Sequence, residues 1–245
     1  MKKKIKILAI IPCRSGSKGI KNKNIIDIFG KPLIYYSIFF AKKCKFIDKV
    51  LVSTDSKEYQ KIAQKYGAEV PFLRPSKIST DNSLDVDFFK HALKWLKKNQ
   101  GYQPDYVIHL RPTSPIRKIK ILQKAINIIK KNKKITSIRS ISLLNKSAYK
   151  IWFLKKNFLL KSITKNKSNF LEPCNAPRQK LKKTYFQNGV YDIFNVKIIE
   201  NNLISGKNIY GLITDEECDI DTNDDLINIK QKSSIFKNFE KYILN

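Results

Sequence analysis

The alternation of short apolar runs with longer segments of helical period is what most narrows the folds open to this chain. Residues 5–11 read as a buried strand. Residues 32–43 read as a helix, with proline in the first turn and apolar side chains at Leu33, Ile34, Ile38 and Ala41. A second strand follows at 49–53, then a helix capped by Ser56 and running to about Tyr66, and a third strand at 69–73. The next helix, 84–98, carries Phe88, Ala92, Trp95 and Leu96 on one face. Strand 106–110, helix 119–131 and strand 135–141 extend the series, and residues 186–194 and 222–232 return to strand and helix, with Asp221 or Thr222 near the cap. This rhythm predicts an α/β fold, a parallel sheet covered by helices. Between about 143 and 183 it breaks into aromatic-rich runs at 149–154 and 158–163, the pattern of a β-hairpin or projecting arm. A length of 245 residues suits one core, so 1–245 reads as a single domain with that arm inserted.

A net charge of +29 invites a nucleic-acid or anionic-membrane reading. Its distribution points elsewhere. Only Arg14, Arg74, Arg111, Arg117, Arg139 and Arg178 are arginine, and lysine is spread over nearly every segment, as a general bias on solvated faces would be. The expectation is no dedicated nucleic-acid partner and no membrane partner; no apolar stretch reaches the ~18 residues a span needs. The opening lysines superficially resemble a leader, but the apolar run after them is broken by Lys6 and ends at Pro12, so it reads as the first strand. Cys13, Cys44, Cys174 and Cys218 show no C-x-x-C spacing, which suits reduced thiols in the cytoplasm. With His91 and His109 the only histidines, a zinc site or a Ser-His-Asp triad has little support, and both read as packed or surface residues.

The chemistry concentrates at two places. The first strand runs into Pro12-Cys13-Arg14-Ser15-Gly16-Ser17-Lys18-Gly19-Ile20-Lys21-Asn22-Lys23-Asn24. In an open parallel sheet the ligand crevice lies beyond the carboxyl ends of the strands, so this loop would bring backbone N–H groups, a guanidinium and ammonium groups to a polyanion such as a triphosphate. It is neither a Walker A loop nor a dinucleotide fingerprint, and a solvated lysine-rich loop is the competing reading. The second place is acidic: Asp215, Glu216, Glu217, Asp219, Asp221, Asp224 and Asp225 crowd into eleven residues. Asp219 and Asp221, two apart, would project to one side of a strand, where their carboxylates could share Mg²⁺ with phosphates and waters. Helix capping competes for Asp221, Asp224 and Asp225.

The segment from Ile11 to Gly19 with Lys23-Asn24 resembles the signature loop of the cytidylyltransferases that activate nonulosonic acids, the CMP-N-acylneuraminate synthetase family and its CMP-Kdo relatives. Further matches follow in order: Val52-Ser53-Thr54-Asp55, Leu73-Arg74-Pro75, Ser79-Thr80-Asp81, Arg111-Pro112-Thr113-Ser114-Pro115-Ile116-Arg117, Pro177-Arg178-Gln179, Asn188-Gly189 and Asp219-Ile220-Asp221-Thr222. The resemblance implies a Rossmann-like three-layer nucleotidyltransferase fold with a mainly parallel sheet and a dimerisation arm, hence a homodimer whose arm helps cover the partner's sugar site. It implies Arg14, Ser15, Lys18, Lys23, Asn24, Arg74 and Asp81 at the nucleotide, and Arg111, Thr113, Ser114, Arg178, Gln179 and Asn188 at the acidic sugar. Mg²⁺ falls to Asp219 and Asp221. Arg14, Lys18 and Lys23 then act in catalysis by neutralising charge, and Asp221, through metal or water, is the candidate for handling the proton.

The implied reaction joins CTP and an acidic nine-carbon sugar of sialic, legionaminic or pseudaminic type, giving CMP-sugar and pyrophosphate. Two departures from the family pattern fall in the sugar half. Arg111 stands where the sialic-acid enzymes usually have Gln, and Val190-Tyr191-Asp192 stands for Ala-Ile-Tyr. A CMP-Kdo synthetase or a nucleotidyltransferase for another acidic sugar is therefore the alternative, and a basic nucleic-acid-binding α/β protein is the rival from another class.

Overall fold

The computed structural model describes residues 4–164, 169–214 and 219–245. Asp215, Glu216, Glu217 and Cys218, singled out above, lie outside the described residues. The chain opens with β1 (Ile7–Pro12), two short strands β2 (Asp27–Ile28) and β3 (Lys31–Pro32), and α1 (Leu33–Lys43). Then come β4 (Lys49–Ser53), α2 (Lys57–Lys65), α3 (Asp85–Gln100), β5 (Tyr106–His109), α4 (Ile119–Lys131) and β6 (Ser137–Leu143). A hairpin of β7 (Trp152–Leu154) and β8 (Leu160–Ser162) precedes β9 (Tyr185–Asn195), α5 (Val196–Glu200), β10 (Ile209–Ile213), α6 (Asn223–Lys230), α7 (Ser233–Lys237) and α8 (Phe239–Leu244).

Six strands form one sheet in the order β10-β6-β9-β5-β1-β4. β1 runs parallel to β4 and β5, and β10 parallel to β6, while β9 is antiparallel to both its neighbours. Alternation along β1 divides the core. Ile7, Ala9 and Ile11 point into the cluster that holds Leu33, Tyr36 and Phe40 of α1 and Leu122 and Ile126 of α4; Leu8 and Ile10 point into another with Phe89, Ala92 and Leu96 of α3 and Ile199 of α5. Helices therefore cover both faces. Each fully buried Leu, Ile or Phe here contributes roughly 1.5–3 kcal/mol of hydrophobic stabilisation.

Two sequence expectations need correction. Residues 69–73 form no strand: Glu69 makes a lone parallel bridge to Leu51, and the next backbone bond to that side is Arg74 N–H to the Thr54 carbonyl at 2.7 Å. The segment 219–221 is a connection rather than a strand, because Ile220 is drawn into the core, buried, with its N–H donated to the Thr113 carbonyl at 2.9 Å. Thr222 caps α6, its hydroxyl accepting from Asp225 N–H while the Asp225 carboxylate accepts from Thr222 and from the N–H of Asp221. Those hydrogen bonds hold the Asp225 carboxyl below the usual carboxylate range.

Candidate functional site

A cleft of about 470 Å³ opens at the carboxyl ends of β1 and β5. A second cavity, about 690 Å³, lies at the opposite, amino-terminal end around Lys6, Tyr102 and Asp105, away from every motif above. The chemistry belongs to the first, because that is where the helices and loops after parallel strands aim their free N–H groups and side chains.

The loop after β1 is held from behind. Ser15 donates its N–H and hydroxyl to Asp55 at 2.9 and 2.8 Å, and buried Asn24 donates to the Arg14 carbonyl at 3.0 Å. Ser15 thus buttresses the loop, while Arg14, Lys18, Lys23 and Asn24 line the cleft. Cys13 is buried, and desolvation pushes its thiol far up, so the loop offers fixed cations rather than a thiolate. Gly19 is required by close approach: a Cβ there would meet the Asp221 carbonyl at 2.6 Å. That contact and the Ile220–Thr113 bond bring Asp221 to the cleft wall.

Three of the four loop cations rest on a carboxylate. Arg14 Nη2 and Lys18 Nζ contact the two oxygens of Asp81 at 2.6 and 2.7 Å, and Lys23 Nζ contacts Asp221 at 2.5 Å. Hydrogen bonds from Lys18 and then Arg14 hold the Asp81 carboxyl below the usual range. Arg74 is buried, donates to Ser53 Oγ at 3.1 Å and to the Ser53 carbonyl, and lies 5.0 Å over the Phe88 ring. Burial lowers its pKa from the ordinary guanidinium value, opposed by Asp55. Around the cleft, Arg14, Lys18, Lys23, Arg74 and Arg111 face Asp81, Asp85 and Asp221. Cations exceed carboxylates, so an anion is the ligand this cleft is charged to hold.

The floor was less legible in the sequence. His109 closes β5, fully buried, with both ring nitrogens unpartnered and Phe88 and Phe89 edge-on to its ring. Burial first, then Arg111, Arg139, Arg117 and Arg74, push its pKa well below the ordinary imidazole value, so it is neutral at pH 7. Asp85, at the start of α3, also lines the cleft, and the acidic first turn of that helix was the only sequence signal for it.

The residues assigned to the sugar half do not all meet there. Arg111 and Thr113 line the cleft; Ser114 lies just behind, buried, its hydroxyl unpartnered. Asn188 donates to Ser142 Oγ and Thr214 Oγ1 at 2.7 and 2.8 Å, tying β9 to β6 and the end of β10. Asp219 and Asn188 line a neighbouring cavity of about 360 Å³, so Asp219 and Asp221 face different spaces. Arg178 and Gln179 line a fourth cavity near Leu143 and Thr184, where the 144–184 insertion leaves the sheet.

Comparison with known proteins places this geometry in context. A family model described as cytidylyltransferase matches residues 8–233. N-acylneuraminate cytidylyltransferase of Escherichia coli O18:K1:H7 is 38% identical over 141 residues, covering 58% of this chain and 32% of that protein. The chain thus spans about a third of that relative's length. Post-translational flagellin modification protein B of Campylobacter coli is 31% identical over 221 residues, 90% of this chain and 91% of that protein. Among solved structures, a CMP:2-keto-3-deoxy-manno-octonic acid synthetase complexed with CTP superposes with a TM-score of 0.68 at 16% identity, covering 94% of this chain and 98% of that one. At that identity the match speaks to the α/β nucleotidyltransferase fold alone.

Proposed function

The chain belongs to the cytidylyltransferase family, and on that premise we propose that it transfers CMP from CTP to the anomeric hydroxyl of a nonulosonic acid, releasing pyrophosphate. The observation that carries this reading is the cationic loop Arg14–Lys18–Lys23 converging with Arg74 on one cleft at the carboxyl end of β1. The sialic, legionaminic or pseudaminic type is the sugar class that the sequence motifs favour.

In this reading the triphosphate takes the place of the carboxylates that now occupy Arg14, Lys18 and Lys23. The C2 hydroxyl oxygen attacks the α-phosphorus as its proton passes to a water held by Asp221, the bond from the α-phosphorus to the α–β bridging oxygen breaks, and pyrophosphate leaves with that electron pair. Fixed cations favour the transition state because charge builds on oxygens that they already face. Arg74, buried against Phe88, is pre-organised at the nucleotide. Asn24 keeps Arg14 in place through its carbonyl.

Mg²⁺ fits as a partial site. Among the described residues no group of three or more His, Cys, Asp or Glu could hold a metal. Of Asp219 and Asp221, only Asp221 lines the cleft, and one carboxylate with substrate phosphates and water is a common way to hold Mg²⁺. When bound, the ion supplies charge neutralisation on the phosphate oxygens. Asp221 would hold it and Lys23, now its partner, would turn to phosphate; Asp219 faces away.

The reading extends to a three-layer, Rossmann-like homodimer in the cytoplasm. The described cysteines, Cys13, Cys44 and Cys174, are free, and no helix is long and apolar enough to cross a membrane among the described residues. On the hairpin, Phe153, Leu154, Leu159 and Leu160 are 59 to 65% exposed, an apolar patch that a second copy would cover. Arg178 and Gln179, at the base of the 144–184 insertion, would then serve the partner's cleft. Excising residues 152–162 is expected to halve the mass seen by light scattering; an unchanged dimer would refute the arm's role.

Pyrophosphate release with Mg²⁺ tests the reaction, with CTP, UTP and ATP each offered N-acetylneuraminic, legionaminic, pseudaminic and Kdo acids. Turnover with CTP and a nine-carbon acid is expected. Turnover with Kdo alone would move the assignment to the eight-carbon alternative, and loss of CTP binding altogether would overturn it.

A further inference from the structure

We propose that Asp192 is a positioning residue for the acidic substrate, a buried carboxylate that anchors Arg111 so that one edge of its guanidinium is left for the sugar's carboxylate. The proposal rests on the reading of the cleft given above. Asp192 is fully buried in β9, directly across from His109 on β5 and Arg139 on β6. Its Oδ2 accepts from Arg111 Nη1 at 2.6 Å, Arg139 Nη1 at 2.9 Å and Gln187 Nε2 at 3.2 Å. Two guanidiniums on one carboxylate leave the buried group with a net positive charge.

The two arginines are held differently. Arg139 is locked: its side chain is 9% exposed, its Nη2 donates to Ser205 Oγ at 2.9 Å, and it stacks 4.4 Å over Phe194. Arg111 is 26% exposed and lines the cleft. Its Nη1 is spent on Asp192 and on the Gly189 carbonyl at 3.2 Å. Its Nη2 meets only a 3.5 Å contact with the Asp85 carboxylate, itself 42% exposed. Gly189, at φ +72°, makes room for this: a Cβ there would stand 3.1 Å from Arg111 Nη1.

The planar fork therefore has one edge anchored and one edge facing the cleft. An arginine so fixed can take a second carboxylate without first losing side-chain freedom. Beside that edge stand neutral His109 and the Asp85 carboxylate, at the 3.5 Å contact that a substrate carboxylate would replace, while Arg117, beneath, is spent on the Val190 and Arg111 carbonyls and Ser37. A 2-keto sugar acid carries its carboxylate on the carbon that bears the attacking hydroxyl, so holding that carboxylate also aims the nucleophile.

The test compares wild type with Asp192→Asn, Arg111→Gln, Arg111→Lys and the double variant Asp192→Asn/Arg111→Gln, reading KM for sugar acid, kcat, and CTP affinity by calorimetry. Asp192→Asn is expected to raise KM for the sugar acid about tenfold or more, with CTP affinity within twofold. The double variant is expected to be no worse than Arg111→Gln, because Asp192 acts through Arg111. Arg111→Lys should behave like Arg111→Gln, since a point charge cannot serve both carboxylates. An unchanged sugar KM in folded Asp192→Asn, or equal losses for sugar and CTP, overturns the positioning role while leaving the reaction intact. Should Asp192→Asn not fold, Arg111→Gln decides, and an unchanged sugar KM there overturns it too. Wild-type protein that turns over none of the acids overturns the functional reading and this proposal with it.

Discussion

Arg14→Ala is expected to lower kcat/KM for pyrophosphate release from CTP by about two to three orders of magnitude, the usual loss when one pre-aimed donor is removed from a developing anionic centre. The side chain now sits on Asp81 at 2.6 Å, beside Lys18 at 2.7 Å on the other oxygen. Both pairs are solvent-accessible, so the carboxylate competes weakly with a triphosphate, which offers more charge and more oxygens to the same fork. The effect therefore has an opposite number. Asp81→Asn frees both cations and should tighten CTP binding about two- to fivefold. If Arg14→Ala stays within threefold of wild type, the loop does not hold the phosphates. If Asp81→Asn instead weakens CTP, the carboxylate contacts the nucleotide directly.

Arg117→Met should destabilise the fold by about 3–5 kcal/mol, a fall of roughly 1.5 M in urea midpoint for a slope near 2–3 kcal/mol/M. Arg117 has no exposed surface and donates to the Val190 carbonyl at 2.9 Å, Ser37 Oγ at 3.0 Å and the Arg111 carbonyl at 2.7 Å, with its guanidinium 5.9 Å from the Phe40 ring. It joins α1, the turn after β5 and β9. Methionine preserves much of the stem but leaves two carbonyls and a hydroxyl buried without that donor. A loss below about 1 kcal/mol would mean that water or a neighbour takes over those groups.

The two departures from the family pattern, Arg111 and Asp192, turn out to be partners at 2.6 Å. An added cation beside a buried floor needs a counter-charge, and the structure supplies it from the next strand of the sheet. Neither residue explains the other in sequence, where 81 positions separate them.

What the sequence determined by itself is what depends on neighbours a few residues away. Period and turn residues located α1 to α4, β1, β4, β5 and β6 to within a few residues, and a basic glycine-containing loop after a buried strand located the cationic wall of the cleft. Ser56 was legible as a cap, and Thr222 as one of two candidates with Asp221, because capping is local. Only the tertiary structure decided that β9 enters antiparallel between β5 and β6, because periodicity reports burial and not which strand lies alongside. It decided that 69–73 makes a single bridge and that β10 forms the sheet edge, where Gly211, breaking the apolar run, accommodates the Ile141 side chain. It also separated Asp219 from Asp221 by burying Ile220 between them, and set Arg178, Gln179 and Asn188 outside the cleft. A motif says which chemical groups are present. Where each group points is set by backbone contacts with segments distant in the chain, and those exist only once the sheet has formed.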